Sequence, residues 1–528
     1  MTSPFVVPTR TRAVRRLPLC LLTGLVLTAC TDPETSSGST ANAADRKGSA
    51  APEPATPERP DVAQPAEATP DAAPARWHYT IKPSADLRTM ATRVCFDGRL
   101  PERFDAQLPA SRRSLVSAHR HPGGEPLTQS VGGLDISSLK PGDCIDYVLD
   151  IDRMESELEN QRRMRRVGEE WYISPDYWLW KPIGGREEAL LTATIEAPPG
   201  VSLSVPWPYH RRGEGSGDDV YRIPETTFKW LIPGALGHFP IDIIDVGGAR
   251  LRVAIVGARK RAKRKRLLAW ITDAASAVAL LGGRMPVDTA QIIVLPTPGT
   301  RIGFGFATHG GGFTVVIFVG DQITEANLRK DWVAVHEMLH LGMPMLDDES
   351  RWLSEGLATY LEPYLRARAG SLPVTEVWEE MHAGFARGRK QVSERTLRAD
   401  CVEMRENHAY MRVYWSGAAI ALIADVTARQ NGSSLDREVL ALGACCLHAG
   451  EILSADDLLA RVGEDGALLA PHLAAAARPH LDSPRFPDVT AMYRALGLSF
   501  DAEGRVTLSS DPVQKALREQ LTGPENRE

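Results

Sequence analysis

The chain has 528 residues, 43% hydrophobic and 24% charged, with a net charge of −6. That length holds more than one domain. The modest charge argues against nucleic acid or an acidic partner, and the seven cysteines lack the spacing of a metal cluster.

Residues 1–29 read as a lipoprotein signal peptide. Arg10, Arg12, Arg15 and Arg16, with no acid among them, precede the apolar run Leu17–Thr28, which is too short to span a bilayer stably. Small residues then lead to Cys30, as at a signal cleavage site. The cysteine resembles that of a bacterial lipobox, which implies cleavage before Cys30 and lipid attachment to it. An ordinary signal peptide with an incidental cysteine is the alternative, and Arg15-Arg16 hint at twin-arginine export. Thr31 rather than Asp follows, which among such lipoproteins implies the outer membrane. The chain is therefore expected to be exported and lipid-anchored, facing the periplasm or the surface. Residues 30–76 form the tether. After Cys30 they hold eight prolines, no aromatic, and Val62 as the one large aliphatic. Such a segment cannot bury enough apolar surface to order itself.

Residues 77–250 read as a β-rich domain. The runs Trp77–Ile81, Thr92–Phe96, Cys144–Leu149, Leu190–Ile195 and Val201–Val205 are divided by Pro and Gly clusters, which predicts an antiparallel sandwich. The aromatic stretch from Pro175 to Pro182 is expected to be an edge packed on the next domain, or else core filling. Cys95 and Cys144 can pair in an oxidising compartment, and Cys401 with Cys445 or Cys446.

Residues 251–432 carry the chemistry. A basic run, 259–266, leads into an apolar helix, Leu267–Leu281, closed by Gly282-Gly283. The run suits anionic lipid headgroups, an acidic partner or plain solvation. A strand, Gln291–Leu295, a Gly-rich turn from Gly303 to Gly312, and a strand, Phe313–Val319, follow. No Gly-Lys-Ser/Thr follows the glycines, so they form no phosphate loop. His309, within them, either touches substrate or has no role.

Next comes His336-Glu337-Met338-Leu339-His340, in an apolar run. Residues four apart share a helix face, so both imidazoles can meet one metal ion. Glu337 is rotated off that axis, where its carboxylate can reach a metal-bound water. The arrangement suits Zn²⁺, which in catalytic sites takes three protein ligands and keeps one position open. A metzincin would place glycine at 343 and histidine at 346, but those are Met343 and Leu346. Asp347 and Asp348, in a turn, can supply the third ligand. Glu355 suits better, because it sits on a second helical run, Trp352–Tyr364, and a helix holds a carboxylate more rigidly. A helix from Tyr410 to Arg429 and a helical region, 433–528, complete the chain. Asp511-Pro512 opens the last helix.

The H-E-x-x-H followed by Trp352-Leu353-Ser354-Glu355-Gly356-Leu357-Ala358-Thr359-Tyr360 resembles the gluzincin metallopeptidases of the glycyl aminopeptidase and aminopeptidase N group. The resemblance implies an α+β multidomain chain: a β-sandwich-like domain, a thermolysin-like zinc peptidase domain, then helices. It implies one Zn²⁺ on His336, His340 and Glu355, with Glu337 as general base. Fourteen residues separate His340 from Glu355, fewer than in aminopeptidase N, so the intervening loop is trimmed. The family's Y-x-K-G segment maps onto Tyr414-Trp415-Ser416-Gly417, which implies Tyr414 as the oxyanion donor; Tyr410 is the alternative. In these families the edge strand beside the metal helix binds substrate backbone by strand addition. The G-A-M-E-N motif of aminopeptidase N is absent, and no anchor for a substrate α-amine stands out. The expected function is a membrane-tethered zinc metallopeptidase acting on peptide or protein substrates. A catalytically inactive binding lipoprotein of the same fold, and a zinc hydrolase of a non-peptide bond, stay open.

Overall fold

Alternation builds the amino-terminal part. β1 (Arg76–Pro83) buries Trp77, Tyr79 and Ile81, and β2 (Thr89–Asp97) buries Met90, Val94 and Phe96. The computed structural model describes residues 75–523, except 159–162, 187–188, 214–218, 259, 392 and 449. The leader, Cys30 and the tether through residue 74 lie outside the described residues. β1 and β2 join β3 (Leu115–His121), β4 (Cys144–Asp150), β5 (Leu190–Ile195), β6 (Tyr209–Arg211) and β7 (Val220–Arg222). They make a seven-stranded sheet in the order β6-β7-β5-β1-β2-β4-β3. β1 pairs with β5 in parallel, so the sheet departs from the antiparallel sandwich expected. The long excursion between them supplies the crossover that parallel pairing needs. Two small four-stranded sheets accompany it.

The aromatic stretch is core and not an edge facing the next domain. Trp178, Leu179 and Trp180 are fully buried with Trp77 and Trp207. Tyr147 donates to the Trp178 carbonyl at 3.1 Å and stacks on Trp180, with ring centroids 5.6 Å apart. The Cys95–Cys144 disulfide joins directly opposed positions of β2 and β4.

The second sheet has five strands: β8 (Ile241–Val246), β9 (Ala249–Ile255), β10 (Thr289–Thr297), β11 (Ile302–Thr308) and β12 (Thr314–Gly320), in the order β8-β9-β10-β12-β11. β9, β10 and β12 run parallel, and the middles of β10 and β12 read as unbroken apolar runs, because both faces are covered. β11 is the antiparallel edge. Gly303 and Gly305 therefore lie in a strand, not in the turn expected; the turn is residues 309–313. Cross-strand packing overrides the glycines: Phe304 stacks on Phe318 at 4.2 Å.

Helices cover one face of this sheet. α1 (Arg261–Ala279) buries Leu267, Trp270, Ile271 and Val278. It starts earlier than the apolar run does, so the basic stretch forms its first turns. There Arg264 donates to the Pro240 carbonyl at 2.6 Å and Lys263 to the Asp321 carbonyl at 2.8 Å. α2 (Val333–Leu339) and α3 (Arg351–Arg368) pack onto α1 and each other, α4 (Tyr410–Gln430) packs on α3, and the chain closes with α5 (Pro512–Thr522). The Asp511 carboxylate caps α5, accepting from the Val513 and Gln514 amides. A hairpin, Leu498–Phe500 with Val506–Leu508, interrupts the helical tail. The other face of the sheet is covered by the amino-terminal part. Tyr172, Ala235 and Phe239 pack there against Ile293, Leu295, Phe306 and Val316.

One cysteine expectation fails. Cys445 and Cys446 are bonded to each other, and Cys401 is a free, buried thiol pushed up to about 12 by burial. Adjacency decides the pairing, since Cys401 is packed beside Trp352 and Arg351. A thiol titration of residues 75–528 checks this. The fragment should show one thiol, reactive only after denaturation, and Cys401→Ser should show none; two thiols in that variant would mean Cys401 had been paired.

Candidate metal centre

The short helix α2 is fixed at its start by a half-buried carboxylate. Asp331 accepts from the Val333 and Ala334 amides at 3.0 Å each and from Trp270 Nε1 at 3.1 Å. Those amides are orphan donors of the first turn, so Asp331 acts as the helix cap and ties α2 to α1. Burial outweighs these bonds and pushes Asp331 up to about 6.

Every residue of α2 is buried. His336 and His340 stand one turn apart on one face, with ring centroids 5.1 Å apart. Glu355, in the first turns of α3, meets both. Its Oε2 lies 3.3 Å from His336 Nε2 and 3.5 Å from His340 Nε2. One ligand atom from each of the three lies within 4.8 Å of the others, and they form the metal-capable group among the described residues. Asp347 and Asp348 are turned to other work. Asp347 accepts from the Ser350 amide at 3.1 Å, and Asp348 is held by Arg351 at 2.5 Å.

The electrostatics are those of buried charge around a cation position. Burial opposes the Glu355 charge, but the two imidazoles outweigh it and hold the carboxyl well below the usual range. Burial lowers His336. It opposes His340 too, but there Glu355 and Glu337 prevail and the ring is raised. Two imidazole nitrogens and one carboxylate are the donor set of a catalytic zinc site, so the residues fit such an ion. His336 Nδ1 has no hydrogen-bond partner. Its ring is set instead by packing, between Trp332 at 5.5 Å and Tyr414 at 6.2 Å.

Glu337 sits beneath the edge strand. A Cβ on Gly305 would lie 2.5 Å from Glu337 Cγ, so only glycine lets β11 come this close. Burial pushes Glu337 up to about 8, and a cation beside it would favour the carboxylate again.

Tyr414 reaches the site because α3 and α4 touch backbone to backbone. A Cβ on Gly417 would lie 2.0 Å from the Trp352 carbonyl oxygen, and one on Gly356 2.4 Å from Gly417 Cα. Gly356 follows Glu355, and Gly417 lies nearly one turn after Tyr414, so the crossing sets the phenol against the ligand group. Tyr414 Oη is buried beside the Glu355 carboxylate, and burial first, then that charge, pushes the phenol well up. Tyr410, one turn earlier, instead packs against the helical core. His309 lies beyond the end of β11, its Nε2 at 3.3 Å from the His340 carbonyl oxygen, and burial pushes it down to about 4. Sequence reasoning passed over Asp331, Gly305 and the glycine pair. Asp331, ahead of an apolar run, was the one with a local signal.

Gly417→Ala should cost about 1–3 kcal/mol, as overpacking does. It should also lower metal affinity, measured by thermal melts with and without added zinc. An unchanged melt would mean the helices part freely.

No protein-family model matches the chain, and no curated protein matches it. Solved structures do. An aminopeptidase N family protein from Idiomarina loihiensis superposes with a TM-score of 0.58 at 13% identity, covering 80% of this chain and 78% of that one. An M1 zinc metallopeptidase from Deinococcus radiodurans gives 0.47 at 16% identity, covering 78% of this chain and 95% of that one. On the first of these likenesses, the chain has the fold of that aminopeptidase N family protein.

Proposed function

We propose that the protein is an exported, lipid-anchored, zinc-dependent peptidase. The observation that carries the reading is the convergence of His336, His340 and Glu355, with Glu337 beside them and the Tyr414 hydroxyl facing the same group. The two imidazoles and Glu355 would hold the ion. When bound, Zn²⁺ supplies Lewis acidity, which polarises a carbonyl and acidifies water. Glu337 takes a proton from the attacking water and returns it to the leaving amine. Its burial under Gly305 keeps that proton in the site. The Tyr414 hydroxyl donates to the oxygen that gains charge as the carbonyl carbon becomes tetrahedral. Cys30 carries the lipid in this reading, and residues 31–76 tether the enzyme to the membrane, the outer membrane by the Thr31 argument.

Metal analysis with activity tests the centre. Wild type should hold one zinc per chain, and Glu355→Ala should lose it. Glu337→Gln should keep zinc while peptide turnover falls about a hundredfold to ten-thousandfold. Tyr414→Phe should keep zinc and lose about a hundredfold or more in kcat. Full activity in Glu337→Gln would remove the general-base role; zinc retained by Glu355→Ala would move the third ligand elsewhere.

The anchor is tested separately by labelling cells with a fatty acid. Wild type should take up label and Cys30→Ser should not. Equal labelling would rule out Cys30.

A further inference from the structure

The cleft at the ligand group is small, about 110 Å³. It does not end there. His309 and Met345 line it and also line an adjoining groove of about 600 Å³. One wall of the groove is amino-terminal domain, with Pro206, Pro208 and Trp230; the other carries Phe313 and His448. A space of that size falls in the range of ligand pockets, ~300–1,000 Å³.

Three carboxylates line the cleft, and each is engaged. Glu355 lies against both imidazoles, Glu337 is packed under Gly305, and Asp348 is bonded to Arg351 at 2.5 Å. An ammonium taken out of water beside the reacting bond needs an anionic partner. Among the described residues lining the cleft, every carboxylate already faces a partner, and Glu225, Asp288 and Glu451 lie farther off, in the groove.

His309 has an acceptor to spare. The oxygen facing its Nε2 is a backbone carbonyl, which only accepts, so Nε2 carries the proton and donates. Nδ1 is then a lone pair on a half-buried ring whose hydrogen bond among the described residues is made through Nε2. It stands where the cleft meets the groove. A single neutral acceptor matches a backbone N–H and not an ammonium without a counter-charge.

We infer that the substrate is the interior of a polypeptide, lying extended from the groove across the metal cleft, with His309 Nδ1 accepting one of its backbone N–H groups. The inference rests on the peptidase reading and names its substrate class. The bond broken is the amide C–N; water supplies hydroxyl to the acyl carbon and a proton to the amine. His309 is a substrate-binding residue and takes no part in that proton transfer.

The test uses the full-length protein, detergent-solubilised and zinc-loaded, on one peptide sequence made from dipeptide to decapeptide, each with a free and an acetylated amino terminus. Acetylation should leave kcat/KM within about threefold, and kcat/KM should rise about fivefold with length as the groove fills, since one such contact is worth roughly 1 kcal/mol. Mass spectrometry should show cuts inside the chain. His309→Ala should keep zinc and lose about threefold to tenfold in kcat/KM on the long peptides, mostly in KM. His309→Asn, whose amide oxygen also accepts, should restore most of it. Removal of single residues from the free amino terminus, with acetylated peptides resistant, would overturn the inference and leave the peptidase standing. Failure to cut any of the peptides would overturn both.

Discussion

The carboxy-terminal half depends on one crossing. At Gly356 and Gly417, α3 and α4 meet with no side chain between them. Two helices normally stay 8–10 Å apart, and small residues permit the closest approach. Here the closeness places Glu355 and Tyr414, from helices that are distant in sequence, around the same imidazoles. Trp352 and Trp378 are fully buried in the same core and give the helices little freedom to slide.

The site stores unfavourable electrostatics that a cation would relieve. Three acids, Asp331, Glu337 and Glu355, gather around one short helix, the last two of them buried. Glu355 is stabilised by the imidazoles, while Glu337 and Asp331 are pushed toward their neutral forms. A divalent ion at the group would shift this balance toward charged Glu337, which a base requires.

Much of this was legible in the sequence, for definite reasons. The helical period puts His336 and His340 on one face whatever the rest of the chain does. Glu355 followed because a short turn returns one helix against another. The apolar runs of β10 and β12 announced themselves through Ile292–Leu295 and Val315–Val319. What stayed hidden needed two distant segments at once. The function of Gly356 is visible only with Gly417 opposite it, and Gly305 reads as a turn residue until Glu337 is seen beneath it. The same holds for β1 and β5, whose parallel pairing no local pattern signals. The cysteines misled because pairing of adjacent residues is not what spacing suggests.

The amino-terminal part does more than precede the site. Thr308 donates to the Leu231 carbonyl at 3.1 Å, and the Gly311 amide to Thr226 Oγ1 at 3.2 Å. Thus the turn that carries His309 is clipped to a loop from the other half of the chain. Phe306, on the same strand as Gly305, is buried by Tyr172 and its neighbours. The two halves are therefore one mechanical unit. A chain cut near residue 240 would keep all three ligand residues and the base, yet its edge strand would lose both its clip and its apolar cover. Any natural variation in the loop 206–231 would be felt at the mouth of the cleft, far along the sequence from the residues that do the chemistry.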